Sequence, residues 1–272
     1  MQLLGCDFSS RPSKQKAIVM AWGHWRQQRL LLSHLESCTT LDAFNQQLKT
    51  TGPWVGGFDL PFGLPRELVI QLAWPTEWLA CMNHYARLTR EQIRDQFAAF
   101  CNARPTGGKF AHRATDTPAG SSPSMKWVNP PVAFMMHAGV PLIIAAGLHI
   151  PGMHPGDPER VALEAYPGMW ARRVLGSRSY KSDTKAKQTP DRFIARKDFI
   201  HALVWGHEAL PIRIQLSSAQ QDVLLADASG DRLDAVVCMM QAAWAQQQQA
   251  QGHALFGLPE DMDPLEGWII NA

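Results

Sequence analysis

The chain has 272 residues, a net charge of +2, and 46% apolar against 18% charged side chains. That length suits one large α/β domain, or a domain with a substantial insertion, and the apolar share is enough to bury a sizeable core. Five cysteines, at 6, 38, 81, 101 and 238, form no CxxC pair and are odd in number. This argues against a structural zinc site or a disulfide framework and fits a reducing cytoplasm.

The N-terminus reaches an acid at position 7 without a signal-peptide pattern. Short apolar runs at 2–6, 54–58 and 161–163 read as buried strands. Each runs into a carboxylate (Asp7, Asp59, Glu164), and a proline follows within a few residues at Pro12, Pro61 or Pro167. Runs at 17–22 and 30–35 join the first as a β-meander with short polar turns. Residues 40–49 place Leu41, Phe44 and Leu48 at helical spacing behind Thr40 as N-cap. The order β, β, β, α, β predicts an α/β fold: a mixed sheet, its first three strands antiparallel and the later ones parallel, flanked by helices.

Segment 62–158 reads as a helical and loop insertion or cap outside the sheet, within a single domain covering 1–272. Helices are expected over 67–73, 91–100 and 131–146, with a Gly/Pro/Ser-rich loop at 105–130. The apolar stretch 132–150 is near the minimum for a membrane span. His137, Gly139 and Pro141 interrupt it and no Lys or Arg cluster flanks it, so a buried helix broken at Pro141 is expected, and no membrane association. Further helices are expected at 168–175, 190–204 and 219–226. The last, 231–248, puts Leu233, Val236, Val237, Met240, Ala243 and Trp244 on one face, with Ser229 as its cap. Residues 267–271 read as a short strand or packed tail.

Charge is unevenly spread. Between 172 and 197 nine bases face only Asp183 and Asp191, whereas 222–266 holds eight acids and Arg232 alone as a base. A basic segment opposite an acidic one suits a phosphate-rich ligand beside a metal site, and equally a solvated surface with chance bias.

Three strands ending in acids point to chemistry, because ligands of open α/β sheets bind at strand ends. Each acid alone has a structural explanation: a turn at Asp7, an Asx turn at Asp59, the positive end of a helix at Asp231. Glu164, in an apolar strand, and Asp234, on the border of a buried helix face, both demand a cation or hydrogen-bond donors. Asp231 and Asp234, three apart, point from one side of their helix. Such oxygen-rich sets suit one or two Mg²⁺ or Mn²⁺ ions, and two ions about 4 Å apart support phosphodiester hydrolysis. Asp7, Glu164 and Asp234 are expected to hold the metal, Asp59 to complete the shell, and Asp231 to be the member explained by a helix start alone. No HExxH, GxxxxGK[ST] or GxSxG pattern is present. His112 reads as a surface histidine or a proton shuttle. The ten tryptophans read mainly as core, with base stacking as the alternative.

The fragments GCDFS, GGFDLPFGLP, RATD, ALEAYPG, SYKSD, GDRLDAVVC and EGWI, in that order, resemble the domain of unknown function 429 family across nearly the whole chain. The resemblance implies an RNase H-like fold and a predicted nuclease. It implies Asp7 as the first-strand acid, Asp59 or Glu164 as the acid of a later strand, and Asp231 and Asp234 as helix acids. It further implies that Arg113, Asp116, Tyr180 and Lys181 line the pocket, where Lys181 and Arg178 could hold a phosphate. The expectation is therefore a cytoplasmic, metal-dependent phosphodiester hydrolase acting on nucleic acid or a nucleotide, with no obligate protein partner. An ATP-using phosphotransferase of the same fold and a non-catalytic nucleic-acid-binding module are the alternatives. The long segment between Asp59 and Glu164 departs from a standard RNase H domain and bears on whether an ordinary duplex reaches the site.

Overall fold

A computed structural model describes residues 1–272. Strands β1 (Gln2–Asp7), β2 (Ile18–Arg26) and β3 (Arg29–Cys38) form the meander. Helix α1 (Leu41–Leu48) then leads into β4 (Trp54–Asp59). Helices α2 (Arg66–Gln71), α3 (Trp78–Arg87), α4 (Arg90–Asn102), α5 (Asp116–Ala119) and α6 (Val132–Ala145) follow, then β5 (Leu148–His149) and β6 (Asp157–Glu164). The C-terminal part is α7 (Pro167–Leu175), α8 (Pro190–Trp205), β7 (Ile214–Gln215), α9 (Ser218–Ala226) and α10 (Asp231–Ala250), with a single 3₁₀ turn at Lys185–Lys187.

The seven strands form one mixed sheet in the order β5-β6-β4-β1-β2-β3-β7. The meander is antiparallel, while β4 and β6 extend it as parallel strands beside β1. This is the α/β architecture the apolar runs predict. Period-two alternation sends side chains to two separate cores. Leu3, Val19, Ala21, Val55, Val161 and Leu163 meet α7 to α10. Leu4, Cys6, Met20, Trp54, Phe58 and Ala162 meet α1 to α4 and α6.

Three expectations change. Segment 62–158 is not outside the sheet: it supplies the edge strand β5 and most of one covering layer. Helix α6 is not broken at Pro141 but runs on to Ala145. Proline inside a helix costs about 3 kcal/mol, and burial of Ala133, Met136, Val140 and Ile143 against the sheet side offsets it. Ser229 does not cap α10; Gly230, at φ 80°, is the cap residue, and Ser229 Oγ donates to Asp227 Oδ1 at 2.6 Å. The tail lies against β6, where Ile270 N donates to Glu164 O at 2.9 Å. No helix is long and apolar enough to cross a membrane.

Two glycines set the height of α10 over the sheet. Gly5 of β1 and Gly57 of β4 are register partners. A Cβ at Gly5 would lie 2.0 Å from Ala235 O and 2.1 Å from Met239 N; one at Gly57 would lie 2.5 Å from Cys238 O. The helix backbone therefore rests directly on the strand backbones. Gly5→Ala must lift α10, and an expected loss of about 2–3 kcal/mol, read by urea unfolding, checks this contact. Gly108→Ala, with open space around it, is the control and should stay within about 0.5 kcal/mol.

Candidate metal centre

Asp7 and Asp59 are the last residues of β1 and β4, and they face each other in parallel register two residues beyond the glycine pair. Both share the parity of Leu3 and Val55, so both point to the α10 face. Helix α10, seated low on the glycines, brings Asp234 of its first turn to the same place. One carboxylate oxygen from each of Asp7, Asp59 and Asp234 lies within 4.8 Å of the others.

The partners of these three acids differ. Asp234 is fully buried. Tyr180 Oη donates to its Oδ1 and Lys181 Nζ donates to its Oδ2. Asp7 is 8% exposed and, like Asp59, accepts no hydrogen bond from any protein donor. Burial, and then the neighbouring Asp234, push the Asp7 carboxyl well above its ordinary range, with Lys181 pulling the other way. Burial raises Asp59 to about 7, with Lys181 again opposing and Asp234 adding. Burial also raises Asp234, against the pull of Lys181 and Tyr180. Fully ionised, the three carboxylates would exceed the one ammonium by two negative charges, and the raised carboxyls answer that excess as well as burial.

Glu164 does not join them. Its strand partner is Phe58, one residue short of Asp59, so the pleat sends it to the opposite face of the sheet. There Arg113 grips both of its oxygens, Nη2 to Oε1 and Nη1 to Oε2, each at 2.7 Å, and Phe62 N donates to Oε2 at 2.9 Å. Asp116 binds the other edge of the same guanidinium, from Nε at 3.2 Å and Nη2 at 3.0 Å. Arg113, Asp116 and Glu164 are all at least nine-tenths buried. The need for a cation that the apolar strand signalled at Glu164 is thus met by Arg113. Asp231 is paired with Lys16 Nζ at 2.6 Å, which also reaches Asp183 at 2.9 Å.

The basic stretch is largely spoken for within the fold. Arg178 pairs with Asp198 at 2.7 Å. Arg196 Nη1 donates to Tyr180 O at 2.6 Å, and Arg192 Nη1 to Lys181 O at 2.8 Å. His112 is exposed, beside Lys109 and Lys126. Most tryptophans are core or packed against it; Trp205 is 68% exposed.

One opening borders Asp59 and a second borders Asp231. A small cavity of about 70 Å³ beside Asp59 is walled by Leu60, Pro61, Met135 and Tyr166, with Arg113 and Glu164 among its polar members. A wider, polar groove of about 550 Å³ lies by Asp231, lined among others by Lys14, Ser37, Gln188 and Arg232. The chain matches no protein-family model, no curated protein and no solved structure. The chemistry of the site therefore rests on its own geometry. Sequence reasoning found all three clustered acids. It missed the roles of Lys16 and Arg113 as counter-charges, which no local pattern announces.

The donor set fits a small, hard divalent cation. Ligands at about 2.1 Å place opposite oxygens of an octahedral ion roughly 4.2 Å apart, and the three oxygens all lie within 4.8 Å of one another, near enough to share one ion. The two acids lacking protein donors supply the unshared charge, and carboxylate oxygen is the ligand such ions prefer.

Proposed function

We propose that this protein is a metal-dependent phosphodiester hydrolase of the nuclease type, with Mg²⁺ or Mn²⁺ held by Asp7, Asp59 and Asp234. The observation that carries the reading is the convergence of these carboxylates from two adjacent strand ends and a helix start. The antiparallel meander followed by parallel strands supports an RNase H-like fold, in which acids at such positions serve this chemistry.

A bound divalent ion supplies Lewis-acid polarisation of a phosphoryl oxygen and acidifies a coordinated water. The chain's own residues do the rest. Asp7 and Asp59 present lone pairs on the open side of the sheet end. Tyr180 and Lys181 fix the rotamer of Asp234 by occupying both its oxygens. A polar groove with Lys14, Gln188 and Arg232 in its lining borders Asp231, in the same first helical turn as Asp234, and a nucleic acid or nucleotide is the partner we assign to it.

The test is cleavage of single-stranded DNA, single-stranded RNA and a simple phosphodiester ester, each with Mn²⁺ and with EDTA. Cleavage of at least one substrate, dependent on Mn²⁺ and restored by adding the ion back, is expected. Cleavage of none, or equal cleavage in EDTA, would overturn the reading.

A further inference from the structure

We infer that Lys181 stands in the place of a second divalent cation, so that the centre takes one ion rather than two; this deepens the metal-centre reading above and rests on it. The first ground is charge. With all three clustered acids ionised around a bound ion, Lys181 offsets one of their charges and a single divalent ion the other two, so one ion brings the cluster to neutrality. A second ion would place two further positive charges beside the Lys181 ammonium, which is partly exposed but bound to the fully buried Asp234, and like charges so close repel.

The second ground is ligand supply. An ion pair of the two-metal type shares one carboxylate and needs additional acids on either side. The remaining acids near the sheet end are engaged. Glu164 points to the other face and has both oxygens on Arg113. Asp231 is bound by Lys16. Asp234, itself one of the three clustered acids, has Tyr180 on one oxygen and Lys181 on the other, so the oxygen that a second ion would share is covered by the ammonium and is freed only when Lys181 is lost. Asp7 is nine-tenths buried and unpartnered, and it is aimed with Asp59 into the space that the one ion would fill.

The third ground is that Lys181 is held as a fixture. Arg196 clamps Tyr180 O, Arg192 clamps Lys181 O, and Ser182 N donates to Ala228 O at 3.0 Å. The Tyr180 ring packs 5.4 Å from Phe199. The lysine stem runs over Gly230, where a Cβ would lie 2.7 Å from Lys181 Cβ and 2.8 Å from its Cδ. A backbone pinned on both sides and a glycine cut away beneath the stem deliver the ammonium to Asp234.

The experiment is Mn²⁺ stoichiometry on the full chain after EDTA treatment, by calorimetry and by electron paramagnetic resonance. The wild type is expected to bind one Mn²⁺ with an uncoupled six-line signal. Lys181→Met, which keeps the stem and removes the charge, is expected to bind two, with the broadened signal of a spin-coupled pair. Lys181→Arg should stay at one. Two coupled ions in the wild type overturn the inference without recourse to any variant. A single ion in Lys181→Met, whatever its affinity, overturns it as well. Absence of Mn²⁺ binding by the wild type is a different result: it removes the metal-centre reading itself.

Discussion

Asp7→Asn is expected to cut Mn²⁺-dependent cleavage at least about 100-fold while making the cation-free protein more stable, not less. The activity loss follows from position. Partners one shell removed from a metal typically change affinity or activity 10–100-fold, and Asp7 would be a direct ligand. The gain in stability follows from the electrostatics of an acid that has no donor. Asp7 is 8% exposed, accepts no hydrogen bond, and sits beside Asp59 and Asp234. Charging it in the folded state works against burial and two like charges. A neutral amide of the same shape is relieved of that, so the variant is expected to be the more stable of the two in EDTA at pH 8.

The sign can be read in a pH series. Asp59, at about 7 in the folded chain against an ordinary 3.8, binds more proton folded than unfolded between those values. Its contribution to stability therefore falls as pH rises from about 4 to 7 in EDTA. Asp7 is shifted in the same direction and adds to the fall. Thermal unfolding in EDTA should show this decline in the wild type and a shallower one in Asp7→Asn. With Mn²⁺ at 100 times its Kd, the wild type should gain about 2.7 kcal/mol and overtake the variant. A variant less stable than the wild type in EDTA at pH 8 would contradict the proposed burden on Asp7.

Arg113→Met should cost about 3–5 kcal/mol in urea unfolding. Breaking a buried ion pair from one side strands the other charge, and here one guanidinium serves two acids. Glu164 would lose two bonds at 2.7 Å and keep only Phe62 N. Asp116 would keep its bonds from Arg113 N at 2.9 Å and Ser121 Oγ at 2.9 Å. Arg113 Nη1 also reaches Glu266 O at 3.1 Å, so the loop before the tail loosens with it. Arg113→Lys keeps the charge without the planar fork and should recover only part of the loss. A cost below about 1 kcal/mol for the methionine variant would show that the network is not what holds α5, β6 and the tail together.

Much of the sheet and the clustered acids was legible because the signals are local. Apolar runs of four to six residues that end in Asp7 and Asp59 announce both the strand and the place where it stops being buried. Asp234 is legible as an acid on the border of a helix face that is otherwise apolar. Helix α3 was not, since Trp78–Arg87 mixes His84, Asn83 and Arg87 into its apolar positions and its cap is Glu77. Strands β5 and β7, two residues each, are too short for any period to show. Glu164 is the instructive case. The sequence marks it as a buried acid in need of a cation, which is correct, but cannot say which one. The pleat decides, because one residue of offset from Asp59 turns it to the face where Arg113 waits, 51 positions earlier in the chain. Lys16 and Asp231, 215 positions apart, are a second pair that exists only in three dimensions.

The centre draws on both extremities of the chain: Asp7 and Asp59 from its first quarter, Asp234 from its last helix. During synthesis, then, the first two acids emerge long before the third. A nascent chain stopped short of α10 has the strand ends but not the helix that rests on Gly5 and Gly57. It also lacks the twenty-residue helix that covers the face of Leu3, Ala21 and Val55. Completion of the carboxylate cluster and closure of that core are thus the same late event. A chain that ends before α10 therefore lacks the third acid of the cluster together with the cover of that core.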